Sequence, residues 1–135
     1  MTQAAAMLET YPADLGRVDR EALVACIRAC VDCAQACTAC ADACLSEKSV
    51  ADLRKCIRSN LDCADLCETT ARVLSRHTGY DANLTRAVLQ VCATACRACG
   101  DECGRHGEMG MRHCVVCAEA CRRCEQACNE LLATL

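Results

Sequence analysis

The residues in this sequence that can carry chemistry are its cysteines, 18 of 135 positions. Between Cys26 and Cys44 they fall at 26, 30, 33, 37, 40 and 44, in alternating steps of four and three. Such steps hold side chains on one face of an α-helix. The pattern returns with Cys56, Cys63 and Cys67, then Cys92, Cys96, Cys99 and Cys103, then Cys114, Cys117, Cys121, Cys124 and Cys128. Thiols in such numbers serve as packing, as disulfides, as redox nucleophiles or as metal ligands.

Packing alone is a poor account. Cysteine has middling helix propensity and less apolar bulk than leucine, so a bundle selected only for stability would not choose it eighteen times. Neighbouring cysteines on one helix face meet disulfide geometry only with distortion. Cys-x-x-Cys occurs five times, at 30/33, 37/40, 96/99, 114/117 and 121/124. Redox dithiols work as exposed, low-pKa pairs at a helix start, whereas these lie mid-helix with no strand pattern nearby.

Metal binding remains, and thiolates select Cu(I), zinc and iron–sulfur clusters. Iron–sulfur ligation uses loop cysteines in runs such as those ending in Cys-Pro, and no cysteine here precedes a proline. Zinc in four-thiolate sites leaves a charge of −2 at each, and several such sites in one dry core repel. Cu(I) accepts two or three soft ligands. Eight i,i+4 pairs are present: 26/30, 33/37, 40/44, 63/67, 92/96, 99/103, 117/121 and 124/128. If each thiolate bridges two ions, metal and sulfur approach one to one and the filled core is nearly neutral. The expected cargo is therefore many Cu(I) ions, about one per cysteine. A general thiolate buffer for zinc or cadmium and a thiol redox protein stay open as alternatives.

Four helices must position these thiols. The stripes and their flanks predict helices over about 20 to 45, 50 to 76, 82 to 104 and 109 to 133, after a short helix over 2–10 that Pro12 stops. Asp19 is a candidate N-cap, Ser49 with Asp52 resembles a capping box, and Gly79 suits a left-handed C-cap. Gly104 and Gly107 are expected to bracket the last connection. Similar lengths and short links give an all-α, antiparallel up-down-up-down four-helix bundle with a cysteine-lined core. The division is an N-terminal segment, 1–19, and the bundle, 20–135.

Alternating helix directions would make the two ends unlike. One gathers Leu23, Leu74, Leu84, Val88, Leu89, Leu131 and Leu132 as an apolar plug. The other gathers Cys44, Cys103 and Cys114 with His106, Met109, Met111 and His113, side chains that suit copper at a mouth. Asn60 stands where the stripe between Cys56 and Cys63 lacks a sulfur, as a weak oxygen ligand or a spacer. His77 lies apart and has no assigned role. A di-iron centre would need inward carboxylates with Glu-x-x-His, which is absent.

Composition agrees. Phenylalanine and tryptophan are absent and tyrosine occurs twice, so cysteine must fill core positions. The net charge of −3 is modest and interspersed, which argues against nucleic acid or an anionic membrane as partner. No run of 18 apolar residues suggests a membrane span. Met1 to Pro12 has neither a basic n-region nor an apolar h-region, so a cytosolic, reducing setting is expected. The thiol pattern leads to an expectation of Cu(I) storage or sequestration, not of an enzyme.

The repeated Cys-x-x-x-Cys and Cys-x-x-Cys spacing from Cys26 to Cys128 resembles the cytosolic branch of the bacterial copper storage proteins. The resemblance implies a four-helix bundle filled with Cu(I) along its axis, a homotetramer, and metal passing through the His/Met end. A copper chaperone or cuproenzyme would be the exchange partner.

Overall fold

The computed structural model describes residues 1–135. It is all-helical: α1 (Gln3–Glu9), α2 (Arg20–Leu45), α3 (Arg54–Leu74), α4 (Ala82–Glu108) and α5 (Arg112–Leu132), with a 3-10 turn at Val50–Leu53. The four long helices pack as a bundle, each touching two others: α2 against α3 and α5, and α4 against α3 and α5.

Local chemistry explains most helix starts. The Asp19 carboxylate accepts from Ala22 N at 3.0 Å and caps α2. Asp81 accepts from Asn83 N and Leu84 N at the head of α4. The short helix expected at the N-terminus is present, capped by Thr2, and it buries Leu8 in the common core.

Several expected boundaries move. Ser49 makes no capping bond through its side chain, so the capping box with Asp52 does not form; the chain enters α3 through the 3-10 turn instead. Helix α3 ends at Leu74 rather than about 76, and Gly79, at φ +65°, sits further out in the connection instead of at the C-cap. Gly104 and Gly107 do not bracket a loop. Both lie inside α4, which runs on to Glu108, and the reversal is made at Gly110, whose φ of +95° suits glycine. Gly107 serves close approach: a Cβ there would stand 2.8 Å from the Val115 side chain across the α4–α5 turn.

The core is sulfur. All 18 cysteines are buried, and they are 18 of the 34 buried residues. Leu23, Leu74, Leu89 and Leu131 are buried beyond one end of the column, and Leu132 packs against it. Leu84, expected in that plug, is exposed; Thr85, one residue on, takes the inward place, because the helix phase set by Leu89 and Cys92 turns Leu84 to solvent. Val88 is half-buried. Helix α2 is long and apolar enough to cross a membrane by length and composition alone, and its cysteine face is the part buried in the bundle.

Candidate metal centre

Sulfur atoms from all four long helices meet along the bundle axis. From one end, Cys26 donates to Cys128 at 3.8 Å, and Cys124 to Cys30 at 3.6 Å. Next come Cys92 to Cys67 at 3.8 Å and Cys67 with Cys96 at 3.6 Å. Cys33 meets Cys63 at 3.9 Å and Cys121 at 3.8 Å, and Cys37 meets Cys99 at 3.9 Å and Cys117 at 3.7 Å. Towards the other end, Cys56 meets Cys103 at 3.9 Å and Cys40 meets Cys114 at 3.8 Å. All 18 thiols are free, so no disulfide closes any of these pairs.

These contacts have the size of a metal site. With metal–sulfur bonds of about 2.3 Å, sulfurs sharing one ion stand ~4.0 Å apart in a trigonal site and ~3.8 Å apart in a tetrahedral one. Groups of four cysteines with every sulfur within 4.8 Å of the others include Cys30/92/124/128, Cys33/67/96/124, Cys33/37/63/121 and Cys37/99/117/121. They interlock. Cys124 belongs to the first two, Cys33 to the second and third, and Cys37 and Cys121 to the third and fourth. An isolated tetrahedral site owns its ligands, whereas shared sulfurs suit bridging between ions.

Asn60 sits where the ladder lacks a cysteine, fully buried. Its Oδ1 accepts from Cys99 at 3.0 Å, Cys103 at 3.2 Å and Cys117 at 3.4 Å, and its Nδ2 donates to Cys56 at 3.9 Å. A buried amide must be satisfied, and here neighbouring thiols do it.

At the end carrying Cys44 and Cys114, the two histidines are built alike. His113 Nδ1 lies 3.4 Å from Cys40 Sγ and 3.6 Å from Cys114 Sγ, while its Nε2 faces Glu47 Oε1 at 3.3 Å. His106 Nε2 faces Glu102 Oε2 at 3.4 Å, and its Nδ1 is buried with no hydrogen-bond partner. Glu102 is itself buried and paired with Arg105. Met111 is half-buried against the core; Met109, 69% exposed, is not brought to the sulfurs. His77 stacks edge-on against Tyr11 at 5.3 Å, away from this end.

The carboxylates behind the histidines were not singled out from the sequence. Glu102 lies four residues before His106, a helical spacing that carried the signal. Glu47 lies 66 residues from His113, and no local pattern links them.

Burial raises the thiol pKa, because a thiolate in a dry core loses its solvation. Cys44 is pushed up to about 12, and Cys114 to about 11, chiefly by burial, with the neighbouring Cys56 adding repulsion. Cys56 is held down to about 6, chiefly by its hydrogen bond with Cys103. Deeper in, Cys30 and Cys96 are raised, each first through its hydrogen bond with Cys124.

A helical bundle whose interior is an interlocked column of free thiols is a scaffold for holding many soft metal ions. The sequence profile of the copper storage protein family matches residues 19–133, and the chain belongs to that family. A copper storage protein from Streptomyces lividans, loaded with 10 copper equivalents, is 72% identical, with a TM-score of 0.96 over 98% of this chain and 99% of its own. A second structure, of copper loading to a cytosolic copper storage protein from Streptomyces lividans with five coppers, is 74% identical over 87% of this chain and 97% of its own, with a TM-score of 0.85. Metal-free copper storage protein 3 from Bacillus subtilis is 37% identical over 80% of this chain and 96% of its own, with a TM-score of 0.68. No curated protein sequence matches the chain.

Proposed function

We propose that this chain stores or sequesters Cu(I) in the cytosol, without enzymatic activity, through all 18 cysteines. The sharing of Cys124, Cys33, Cys37 and Cys121 between neighbouring groups carries the reading. Bridging thiolates let metal approach sulfur one to one and keep a dry core near neutrality, whereas separate divalent sites would need four ligands each and leave −2 at every site. The relatives loaded with copper support the same cargo.

The reading extends to architecture. Sulfur contacts join the start of α2 to the end of α5 and the end of α2 to the start of α5, which supports an antiparallel up-down-up-down bundle over 20–135. Residues 1–19 form an appended segment. Copper enters and leaves at the end bearing His106, Met109, Met111 and His113, since leucines fill the opposite end. Asn60 serves as an auxiliary group within the column. Association into a homotetramer rests on the family resemblance. A copper chaperone or a cuproenzyme is the expected exchange partner.

Titration of the reduced protein with Cu(I) under a competing chelator tests the storage reading. Saturation near one ion per cysteine is expected, with protons released as thiols ionise, so affinity weakens as pH falls. Saturation near one metal per four cysteines would refute it in favour of a zinc-type buffer, and turnover of a disulfide substrate would favour redox chemistry. His106→Ala with Met111→Ala should slow loading while barely changing capacity; a capacity halved by that change would refute the mouth assignment.

A further inference from the structure

The leucine end of the bundle carries a cavity of about 720 Å³. Residues 11–19, the α3–α4 connection and the adjoining ends of α3, α4 and α5 line it. Leu23, Leu74 and Leu131, buried beyond the sulfur column, form part of its wall, and Leu15 and Val18 add to it. Two contacts pin residues 11–19 over the helix ends. The Tyr11 hydroxyl lies 2.9 Å from Thr78 Oγ1, and the Tyr11 ring meets His77 edge-on at 5.3 Å. Pockets that take small organic molecules hold roughly 300–1,000 Å³ and combine apolar walls with a few convergent polar groups.

The polar groups on this lining are donors left open. Thr85 lines the cavity and is only 7% exposed. Thr38, Thr70 and Thr94 return their hydroxyls to the carbonyl four residues back. Thr85 does not: its backbone N–H is bound to Asp81 O at 3.1 Å, and its hydroxyl has no partner. A polar group withdrawn from water and left unpaired is costly, and a ligand that accepts from it recovers that cost. The arginine ion pairs of the chain are made by Arg58, Arg72, Arg97, Arg105 and Arg122. Arg17 and Arg76, both on the lining, have none. The two acids there are engaged by backbone amides: Asp14 accepts from Gly16 N at 2.8 Å, and Asp19 caps α2. Burial lowers the His77 pKa, so at neutral pH its ring is an uncharged wall.

We propose that this cavity binds a small organic anion, a carboxylate on an apolar body. Arg17 and Arg76 take the carboxylate, the Thr85 hydroxyl donates to an oxygen of the ligand, and the body lies against Leu23, Leu74 and Leu131. Guanidinium groups without a partner suit this role, because their donors match the two oxygens of a carboxylate. Both arginines are exposed, so the attraction is screened and falls with salt. The site stands apart from the metal. Cys26 and Cys128, the first sulfur pair, lie about one turn further along α2 and α5 than Leu23 and Leu131. A ligand bound here to the folded chain raises its melting temperature by mass action and leaves the sulfur column intact.

The reduced full chain, metal-free and copper-loaded, is titrated with 1-anilinonaphthalene-8-sulfonate, and decanoate is then added as competitor. One probe per chain is expected, with blue-shifted emission that decanoate abolishes, and with the same affinity in both forms. Arg17→Gln with Arg76→Gln should weaken decanoate binding about ten-fold at low salt and less at high salt, with helical circular dichroism and Cu(I) capacity unchanged. Thr85→Val should weaken it roughly two- to five-fold without lowering the Tm of the ligand-free chain, since the hydroxyl it removes is unpaired there. Absence of a saturable site, several probes per chain, or decanoate affinity unchanged in the arginine double variant would overturn the proposal. So would a Thr85→Val protein that loses stability and keeps its affinity.

Discussion

Asn60 offers the sharpest test of how the metal-free core holds together. Asn60→Ala removes an acceptor that receives three thiol hydrogen bonds, at 3.0, 3.2 and 3.4 Å, and a donor to Cys56. Hydrogen bonds contribute about 0.5–1.5 kcal/mol each, and thiols are weak donors, so three at the low end give ~1.5 kcal/mol. The small void left behind brings the expected loss to about 2 kcal/mol. For a chain of this length each kcal/mol moves the midpoint by about 3–4 °C, so Tm of the reduced apo protein should fall by ~7 °C. In the copper-loaded protein the thiol protons are gone, and the bonds to Oδ1 with them; the same substitution should then cost far less. Paired thermal melts at one protein concentration, apo and loaded, read both numbers. An unchanged apo Tm, or an equal fall in both forms, would refute the claim that Asn60 works by satisfying protonated thiols.

Leu89, fully buried beyond the sulfur column, touches no metal chemistry. Leu89→Ala should destabilise the apo protein by about 3 kcal/mol in urea unfolding while leaving Cu(I) capacity intact, and a proportional loss of capacity would contradict the plug. Cys44 and Cys114 have folded pKa values raised from 9.0 to about 12 and about 11, so the unfolded chain ionises first as pH rises. Their contribution to stability is thus complete below about pH 9 and is lost as pH climbs towards 11–12. The urea midpoint of the reduced wild type relative to Cys44→Ala should shrink between pH 8 and 10.5, and a constant difference would refute buried neutral thiols at this end.

The periodicity of the cysteines determined the number of long helices, the face each one buries and the sulfur lining, because a step of three or four residues has one meaning on a 3.6-residue helix. It also made Leu89 and Leu131 legible as an apolar end. Boundaries were less legible. Gly104 and Gly107 read as loop punctuation, yet both sit inside α4 and the turn falls at Gly110. A glycine signals a turn and a close approach equally well, and only packing against Val115 distinguishes them. Leu84 went wrong for a related reason: apolar character does not fix helix phase by a single residue, while the rigid stripe from Leu89 to Cys103 does.

Which sulfurs meet belongs to the tertiary structure alone. Cys33 with Cys121, or Cys37 with Cys117, are joined by the relative height of helices far apart in the chain, which no local spacing encodes. The same holds for His113 and Glu47, 66 positions apart and now 3.3 Å from one another. Helix periodicity is a local property of the backbone, written in the sequence. The sharing of sulfurs between neighbouring groups comes from how four such helices are set against each other, and it joins the buried thiols into one column.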